Sequence, residues 1–193
     1  MVDTNLLCFE LNKANNPELS WADFQALSHG NFYEALKKGT INGKKFSAHP
    51  EYHVIYGNKI CDINIPPEIK EAILKLAKSY PLTVVSATSA VNISKRLKQE
   101  GLLRHFGEIL GFEESTSKVV KFKKLLANHK IAGKDAVLIT DTLGDILEAN
   151  AVGVSSIAVS WGLHDRSTFA PGSPDAIIDE PKDLVPTIER ILG

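Results

Sequence analysis

Two aspartates in the second half of the chain have a spacing that suits a metal site. Asp141 comes just after an apolar run at 136–139, and Asp145 lies four residues later, at the start of a predicted helix. Both carboxylates can therefore turn toward one point, and Mg²⁺ is a hard ion that prefers such oxygen ligands. The alternative is that Asp145 only caps its helix, because aspartate is among the preferred N-cap residues.

A hydroxyl-rich segment follows another predicted strand and could bind a phosphoryl group. Ser86 and Thr88 come directly after the apolar run at 82–85. A hydroxyl at this place can donate to a phosphoryl oxygen, together with the N–H groups at the start of the next helix. The alternative is that these hydroxyls only stabilise a turn.

Two lysines near the start of a predicted helix are candidates for binding the same anion. Lys118 is the first residue of the segment 118–129. A cation at the amino end of a helix is unfavourable because of the helix dipole, so an anionic partner would explain it. A solvated surface lysine is the alternative. Lys121, one turn further on, competes with Lys118 for this role.

These candidates come together because of the fold that the sequence predicts. From about residue 66 onward, short apolar runs rich in β-branched residues alternate with helical segments. The predicted strands lie at 82–85, 109–110, 136–139, 156–159 and 176–178, and the predicted helices at 66–77, 91–99, 118–129, 145–150 and 184–191. This order predicts an α/β fold with a Rossmann-like, three-layer parallel sheet core. Ligands bind beyond the carboxyl ends of such strands, where Ser86, Asp141 and Ser160 fall.

The first part of the chain has a different, mostly helical pattern. A helix is predicted at 5–15, Ser20 is a predicted N-cap, and another helix is predicted at 31–38. Residues 40–58 are polar and punctuated by glycine and proline, which predicts a loop. They include His49 and His53, which we interpret as part of this loop and not as a metal site. We therefore predict a small helical unit at residues 1–59 and an α/β core at residues 60–193.

The composition excludes several classes of function. The net charge is −1, so no basic field exists to attract nucleic acid or an anionic membrane. No apolar run is long enough to suggest a membrane span. The two cysteines, Cys8 and Cys61, form no metal-binding spacing, and reduced thiols are the simple interpretation. We expect a cytoplasmic protein, a monomer or a homodimer, that binds neither nucleic acid nor membranes.

The order and spacing of these segments resemble the haloacid dehalogenase-like (HAD) hydrolase superfamily, close to its phosphoglycolate phosphatase-like branch. The resemblance covers about residues 60–193, and it lies in the segments 65–88, 117–118, 139–146, 159–162 and 174–178. It implies a Mg²⁺-dependent phosphatase that acts on a small phosphorylated metabolite through an aspartyl-phosphate. It further implies that Ser86 and Lys118 hold the phosphoryl group and that Asp141 and Asp145 bind Mg²⁺.

The first motif of this family is missing from the sequence. The family has an Asp-x-Asp at the end of an early strand, where the first aspartate attacks phosphorus and the second transfers protons. One hypothesis is a degenerate strand at 7–12, with Glu10 and Asn12 at the two acidic positions, although asparagine cannot transfer a proton. The favoured hypothesis is that residues 5–15 form the first helix of the helical cap that the family places over its site, so that the unit at residues 1–59 is this cap. The nucleophile strand would then lie upstream of Met1, and its neighbours in the sheet would lack a partner.

Three functions remain open from the sequence. The first is the phosphatase, with His29, Asn31 and Tyr33 of the cap as possible substrate contacts. The second is a catalytically inactive relative that binds a phosphorylated ligand or a partner. The third is a non-enzymatic domain in which Asp141, Asp145 and the hydroxyl groups only cap helices.

Overall fold

The computed structural model describes residues 4–48 and 51–193, without the side chain of His53. His49 lies outside these ranges, so its interpretation as part of a loop stays a prediction, whereas the backbone of His53 lies in a helix at Tyr52–Lys59. The part up to residue 59 is mainly helical, and we call it the N-terminal segment. It comprises α1 (Asn5–Asn15), α2 (Trp21–Ala26), α3 (Phe32–Lys38), the antiparallel strands β1 (Thr40–Ile41) and β2 (Lys44–Lys45), and α4 (Tyr52–Lys59).

The rest of the described chain is an α/β core in which helices alternate with strands. Its elements are α5 (Pro67–Leu76), β3 (Leu82–Val85), α6 (Ala90–Gln99), β4 (Phe106–Leu110), α7 (Lys118–His129), β5 (Val137–Thr140), α8 (Leu143–Asn150), β6 (Ser155–Val159), β7 (Ala176–Ile178) and α9 (Leu184–Leu192). All neighbouring strands in this core are parallel. The predicted α/β class is therefore confirmed, whereas the boundary between cap and core at residues 59 and 60 stays a prediction.

The parallel strands do not form one continuous sheet. β3 pairs with β4, while β5, β6 and β7 form a separate sheet in that order. Within residues 4–48 and 51–193, no strand pairs with the remaining edge of β3 or of β5. A cavity of about 1190 Å³ runs along both edges and is lined, among others, by Val84, Val85 and Ile139. We call the part of this cavity between β3 and β5 the slot.

The slot changes the burial of the strands beside it. All of β3 and the first three residues of β5 are only partly buried, whereas residues 156–159 of β6 are fully buried. Apolar runs such as those at 82–85 and 136–139 are typical of strands buried on both faces, and in this structure their burial is incomplete. The exposure arises because one edge of each strand faces the slot and not another strand.

Helices cover both faces of the two sheets. On one face, α5 and α9 pack in a core that includes Val84 and Ile139. On the opposite face, Phe122 of α7 packs in a cluster with Val85 and Leu138. Since successive strand residues point to opposite faces, this packing gives the predicted three layers. None of the helices in the described ranges is long and apolar enough to span a membrane.

The N-terminal segment has an apolar cluster of its own, which reaches the core at Leu163. Phe24 of α2 and Phe46, which follows β2, are buried in it. The loop predicted at 40–58 is wrong, because this region contains the β1–β2 hairpin and α4. Tyr56 of α4 is also buried. Local polarity does not reveal this burial, which depends on contacts with distant parts of the chain.

The structure of residues 5–15 tests one of the two hypotheses for the first motif. Residues 5–15 form α1, as the favoured hypothesis predicts. The degenerate strand at 7–12 is therefore wrong. The Glu10 side chain is exposed on α1, and the Asn12 amide donates a hydrogen bond to the Cys8 carbonyl at 2.8 Å. Neither side chain follows the end of a strand, where the family places its acidic pair.

The carboxylate of Asp23 connects α2 to the β1–β2 hairpin. It caps α2 together with Ser20, as predicted for that N-cap, and it accepts hydrogen bonds from Asn42 at 2.9 Å and Lys44 at 2.7 Å. The Lys44 ammonium, followed by the other donors, holds the pKa of Asp23 well below its usual range. The charged carboxylate is thus part of the fold of the N-terminal segment.

Asp23→Ala should lower the free energy of unfolding by about 1–3 kcal/mol, because it removes a helix cap and the charged acceptor of the hydrogen bonds from Asn42 and Lys44. Urea unfolding followed by circular dichroism measures this change. Glu34→Ala is the control, since Glu34 pairs with Lys37 on the surface and such pairs contribute about 0–1 kcal/mol. Equal effects of the two substitutions would contradict the role of Asp23.

Candidate functional site

The carboxyl ends of β3 and β5 lie beneath the N-terminal segment. Ser86 follows β3, and the next carbonyl, that of Ala87, accepts a hydrogen bond from the Tyr33 hydroxyl at 2.7 Å. Asp141 follows β5 and accepts a hydrogen bond from the Asn5 amide at 3.2 Å. Both predicted strand-end positions therefore lie on the same side of the core and share one cover.

The Asp141 carboxylate is held in place from two sides. Besides Asn5, the backbone N–H of Leu163 donates to the same oxygen, Oδ2, at 2.9 Å. Gly162 approaches so closely that a Cβ at this position would overlap the Asp141 side chain. The segment after β6 thus needs glycine at residue 162, a requirement that the sequence alone does not reveal.

Asp145 lies in the first turn of α8 but is not its N-cap. The N-cap is Thr142, whose hydroxyl accepts the hydrogen bond from the Asp145 backbone N–H. The capping alternative for Asp145 is therefore wrong. Its carboxylate instead accepts a hydrogen bond from the Thr140 hydroxyl at 2.7 Å and forms an ion pair with the Lys118 ammonium. The structure thus brings together two of the predicted site residues.

Glu148 is a further carboxylate of this region, which the sequence motifs do not mark. Its Oε1 accepts hydrogen bonds from the Lys118 backbone N–H at 2.8 Å and from the Asn31 amide at 3.1 Å. It therefore stabilises the amino end of α7 and connects it to the N-terminal segment. The signal was its position three residues after Asp145, which places both on one face of α8.

The two candidate lysines have different surroundings. Lys121 is 1% exposed, and its ammonium donates to the carbonyls of Ser86 at 2.6 Å and Gly111 at 3.1 Å. Burial and the nearby charge of Lys118 lower the pKa of Lys121 to about 8. Lys121 therefore fixes the backbone at the ends of β3 and β4, while Lys118 lies beside Asp145.

The hydroxyl segment after β3, the amino end of α6 and Ser160 make hydrogen bonds within the protein. Thr88 donates its backbone N–H to the Ser86 hydroxyl at 3.0 Å. The first N–H of α6, that of Ala90, donates to the Glu113 carboxylate at 3.1 Å. This N–H therefore already has an acceptor within the protein. The Ser160 hydroxyl, after β6, donates to Asp179 at 2.6 Å.

His164 connects the site to α2 through hydrogen bonds of both its ring nitrogens. Its Nδ1 accepts a hydrogen bond from the Leu143 N–H at 2.9 Å, so the proton of the neutral ring is on Nε2, which donates to the Gln25 carbonyl at 2.9 Å. Burial lowers the pKa of His164. The His29 ring lies 5.1 Å away, between centroids.

A backbone contact reinforces this connection. The Gly144 N–H, in the first turn of α8, donates to the Ser28 carbonyl at 2.9 Å. A Cβ at residue 144 would overlap the Gly30 carbonyl. The N-terminal segment therefore touches the site through main-chain atoms of both partners.

The donor chemistry of the site fits Mg²⁺ in type but not in number. Asp141 and Asp145 offer carboxylate oxygens, which Mg²⁺ prefers. Among the residues that the structure describes, no group of three or more His, Cys, Asp or Glu side chains could hold a metal ion. Asp141 and Asp145 thus form at most part of a magnesium site.

Comparisons with known proteins place these features in a wider context. The sequence profile described as haloacid dehalogenase-like hydrolase matches residues 3–159. A phosphoglycolate phosphatase of Synechococcus elongatus is 24% identical over 70% of this chain and 65% of its own length. A probable phosphatase of Dickeya dadantii is 30% identical over 62% of this chain and 54% of its own length. The chain therefore spans about half to two thirds of these curated relatives.

Solved structures show the same fold. A predicted phosphatase from Clostridium acetobutylicum superposes with a TM-score of 0.77 at 16% identity, covering 98% of this chain and 94% of its own. A predicted phosphoglycolate phosphatase from Haemophilus somnus superposes with a TM-score of 0.68 at 21% identity, covering 94% and 90% of the two chains. Together with the profile, these matches confirm the resemblance drawn from the motifs.

The stability contribution of Lys121 should depend on pH. Its folded-state pKa of about 8 lies below the ordinary value of 10.5, so between these values the unfolded chain binds more protons. The contribution of Lys121 to stability should therefore rise as pH increases from 8 toward 10.5 and be lowest below pH 8. Urea unfolding of the native protein and of Lys121→Met across pH 7–10 measures it as the difference between the two curves. A constant difference would contradict the buried, charged Lys121.

Proposed function

Because the chain belongs to the haloacid dehalogenase-like hydrolase family, we propose that it carries the phosphate- and magnesium-binding part of a phosphatase for small phosphate monoesters. The observation that carries this proposal is the ion pair between Lys118 and Asp145. This pair lies at the carboxyl ends of the strands, where Ser86 follows β3 and Asp141 follows β5. Phosphoglycolate, the substrate after which several relatives are named, is the first substrate to test.

Ser86 and Lys118 are the residues that we assign to the phosphoryl group. The Ser86 hydroxyl can donate to one phosphoryl oxygen, and the Lys118 ammonium can pair with another as a charge-assisted donor. Lys118 suits this role better than Lys121, because the ammonium of Lys121 is buried against two carbonyls. Ser86 and Lys118 would together orient the phosphoryl group and stabilise its charge.

Asp141 and Asp145 are the residues that we assign to Mg²⁺. The ion, when bound, would offset the negative charge of the phosphoryl group. Asp141 is already oriented by Leu163 and Gly162, whereas Asp145 shares its carboxylate with Lys118. The N-terminal segment covers this end of the sheet and would exclude water from it.

A second candidate function is binding without catalysis. The sequence contains no Asp-x-Asp, and Glu10 and Asn12 lie on α1 and not after a strand. The attacking carboxylate and the proton-transferring group that the family uses are therefore not supplied by these residues. This observation favours a protein that binds a phosphorylated ligand and leaves it intact.

Binding of inorganic phosphate should depend on Mg²⁺ and on Asp141. We expect phosphate with Mg²⁺ to raise the melting temperature of the 193-residue chain, and Asp141→Asn to remove this effect because it removes the carboxylate charge. Differential scanning fluorimetry with and without EDTA measures both. Asp62→Asn, the same chemical change at an exposed site, is the control.

Turnover distinguishes the two candidate functions. Hydrolysis of phosphoglycolate or p-nitrophenyl phosphate that is abolished by EDTA and by Asp141→Asn supports the phosphatase. Mg²⁺-dependent phosphate binding without turnover supports the binding protein. If neither binding nor turnover is detected in the folded chain, both candidates are refuted.

Lys118→Met should weaken phosphate binding about 10- to 100-fold, the effect expected from losing one charged hydrogen bond. Isothermal titration calorimetry with inorganic phosphate measures the change. Lys121→Met is the matched substitution, since we expect it to reduce stability more than phosphate affinity. The reverse result would assign the phosphate to Lys121.

A further inference from the structure

We propose that Glu148 makes the site selective for phosphate monoesters whose alcohol part ends in an amine, with the ammonium group bound beside this carboxylate. This inference rests on the proposed phosphate-binding function and adds a substrate class to it. The place, the size, the charges and the hydrogen-bonding groups of one narrow pocket support it.

The narrow pocket lies where α3, α7 and α8 meet. Lys118 and Asp145 line both this pocket and the large cavity, which also reaches Ser86 and Asp141. Glu148 lines the narrow pocket and not the large cavity. A phosphoryl group held by Ser86 and Lys118 would therefore have the narrow pocket beside it, and the alcohol part of a monoester can enter there.

The volume of the narrow pocket limits what can enter it. This volume is about 20 Å³, and one water molecule needs about 10–15 Å³. An ammonium group is similar in size to a water molecule, whereas a carboxylate is larger because it has a carbon and two oxygens. The pocket therefore favours a monoester that ends in a single small group.

The charges around the narrow pocket favour a cation. Of the four charged residues that line it, Lys118 pairs with Asp145, and Lys121 directs its ammonium at two backbone carbonyls. In the described part of the chain, Glu148 pairs with no cationic side chain, and its partners are N–H and O–H groups. A phosphoryl group would take up the charge of Lys118. An ammonium would then be attracted to Glu148, and a second carboxylate would be repelled.

The hydrogen-bonding groups at the pocket favour a donor. The Asn31 amide donates to the Thr116 carbonyl at 3.0 Å and to Glu148 at 3.1 Å, which uses both of its N–H groups. The Tyr33 hydroxyl donates to the Ala87 carbonyl and keeps its oxygen as an acceptor. Glu148 accepts only through Oε1 within the described ranges, so Oε2 can accept from a ligand. An ammonium can only donate and a carboxylate can only accept, so the ammonium fits these groups better.

A purely structural role of Glu148 is the alternative. Its Oε1 accepts the first N–H of α7, where a carboxylate is also favoured by the helix dipole. Glu148→Gln separates the two roles, because glutamine keeps an acceptor for this N–H and removes the negative charge.

Three monoesters of similar size test the proposal on the 193-residue chain. They are 2-aminoethyl phosphate, 2-hydroxyethyl phosphate and phosphoglycolate, whose alcohol parts are positive, neutral and negative at neutral pH. Isothermal titration calorimetry in the presence of Mg²⁺ gives the Kd of each ester. Inorganic phosphate is the reference ligand, because it lacks an alcohol part.

We expect the native protein to bind 2-aminoethyl phosphate about 10- to 100-fold more tightly than phosphoglycolate, the range for one charged hydrogen bond. The hydroxyethyl ester should lie between them. Glu148→Gln should remove most of this preference, because the charge that distinguishes the two esters is then absent. Glu189→Gln, the same chemical change at an exposed residue of α9, is the control and should leave the preference unchanged.

The outcomes separate this proposal from the proposed function. A preference for the amine ester that Glu148→Gln removes supports selectivity by Glu148. Phosphate binding without such a preference, or with one that persists in a folded Glu148→Gln variant, overturns the selectivity and leaves the phosphate site standing. The comparison of esters on the native protein decides the question if the variant does not fold. If neither phosphate nor any ester binds, the phosphate site is refuted and the selectivity with it.

Discussion

Two carboxylates of α8 connect the two sheets that no described strand joins. Asp145 pairs with the side chain of Lys118, and Glu148 accepts the backbone N–H of the same residue. Lys118 begins α7, which packs against β3, so these bonds set the position of one sheet relative to the other. Glu148 also binds Asn31 and so places the N-terminal segment over the strand ends. The position of the site residues relative to one another therefore depends on Asp145 and Glu148, which lie on one face of α8.

Much of the core follows from local sequence patterns. α7 at residues 118–129 and β7 at residues 176–178 have the predicted bounds, because helical periodicity and short β-branched runs are local signals. The region 40–58 does not follow from such signals. Its hairpin and α4 are stabilised by the burial of Phe46 and Tyr56, whose partners are distant in the sequence.

The residues of the site also fall into those that local sequence patterns predict and those that they do not. Ser86 and Asp141 are recognisable because a parallel sheet directs ligands to the carboxyl ends of its strands. The partners of Lys121, Glu148 and His164 are not recognisable, because they depend on which elements become neighbours after folding. Lys118 and Lys121 illustrate this difference. The sequence alone leaves both as candidates, whereas in the structure Lys118 pairs with Asp145 and Lys121 donates to two backbone carbonyls.

The contact of Gly144 with Ser28 and Gly30 has a consequence for how such a protein can diversify. Glycine lowers the helix propensity of the first turn of α8 by about 1 kcal/mol relative to alanine. In exchange, one contact between the cover and the site is made by main-chain atoms of both partners. This contact does not depend on the side chains of the N-terminal segment that face the strand ends. Mutation can therefore change those side chains, and with them a ligand preference, while this part of the cover's attachment stays constant.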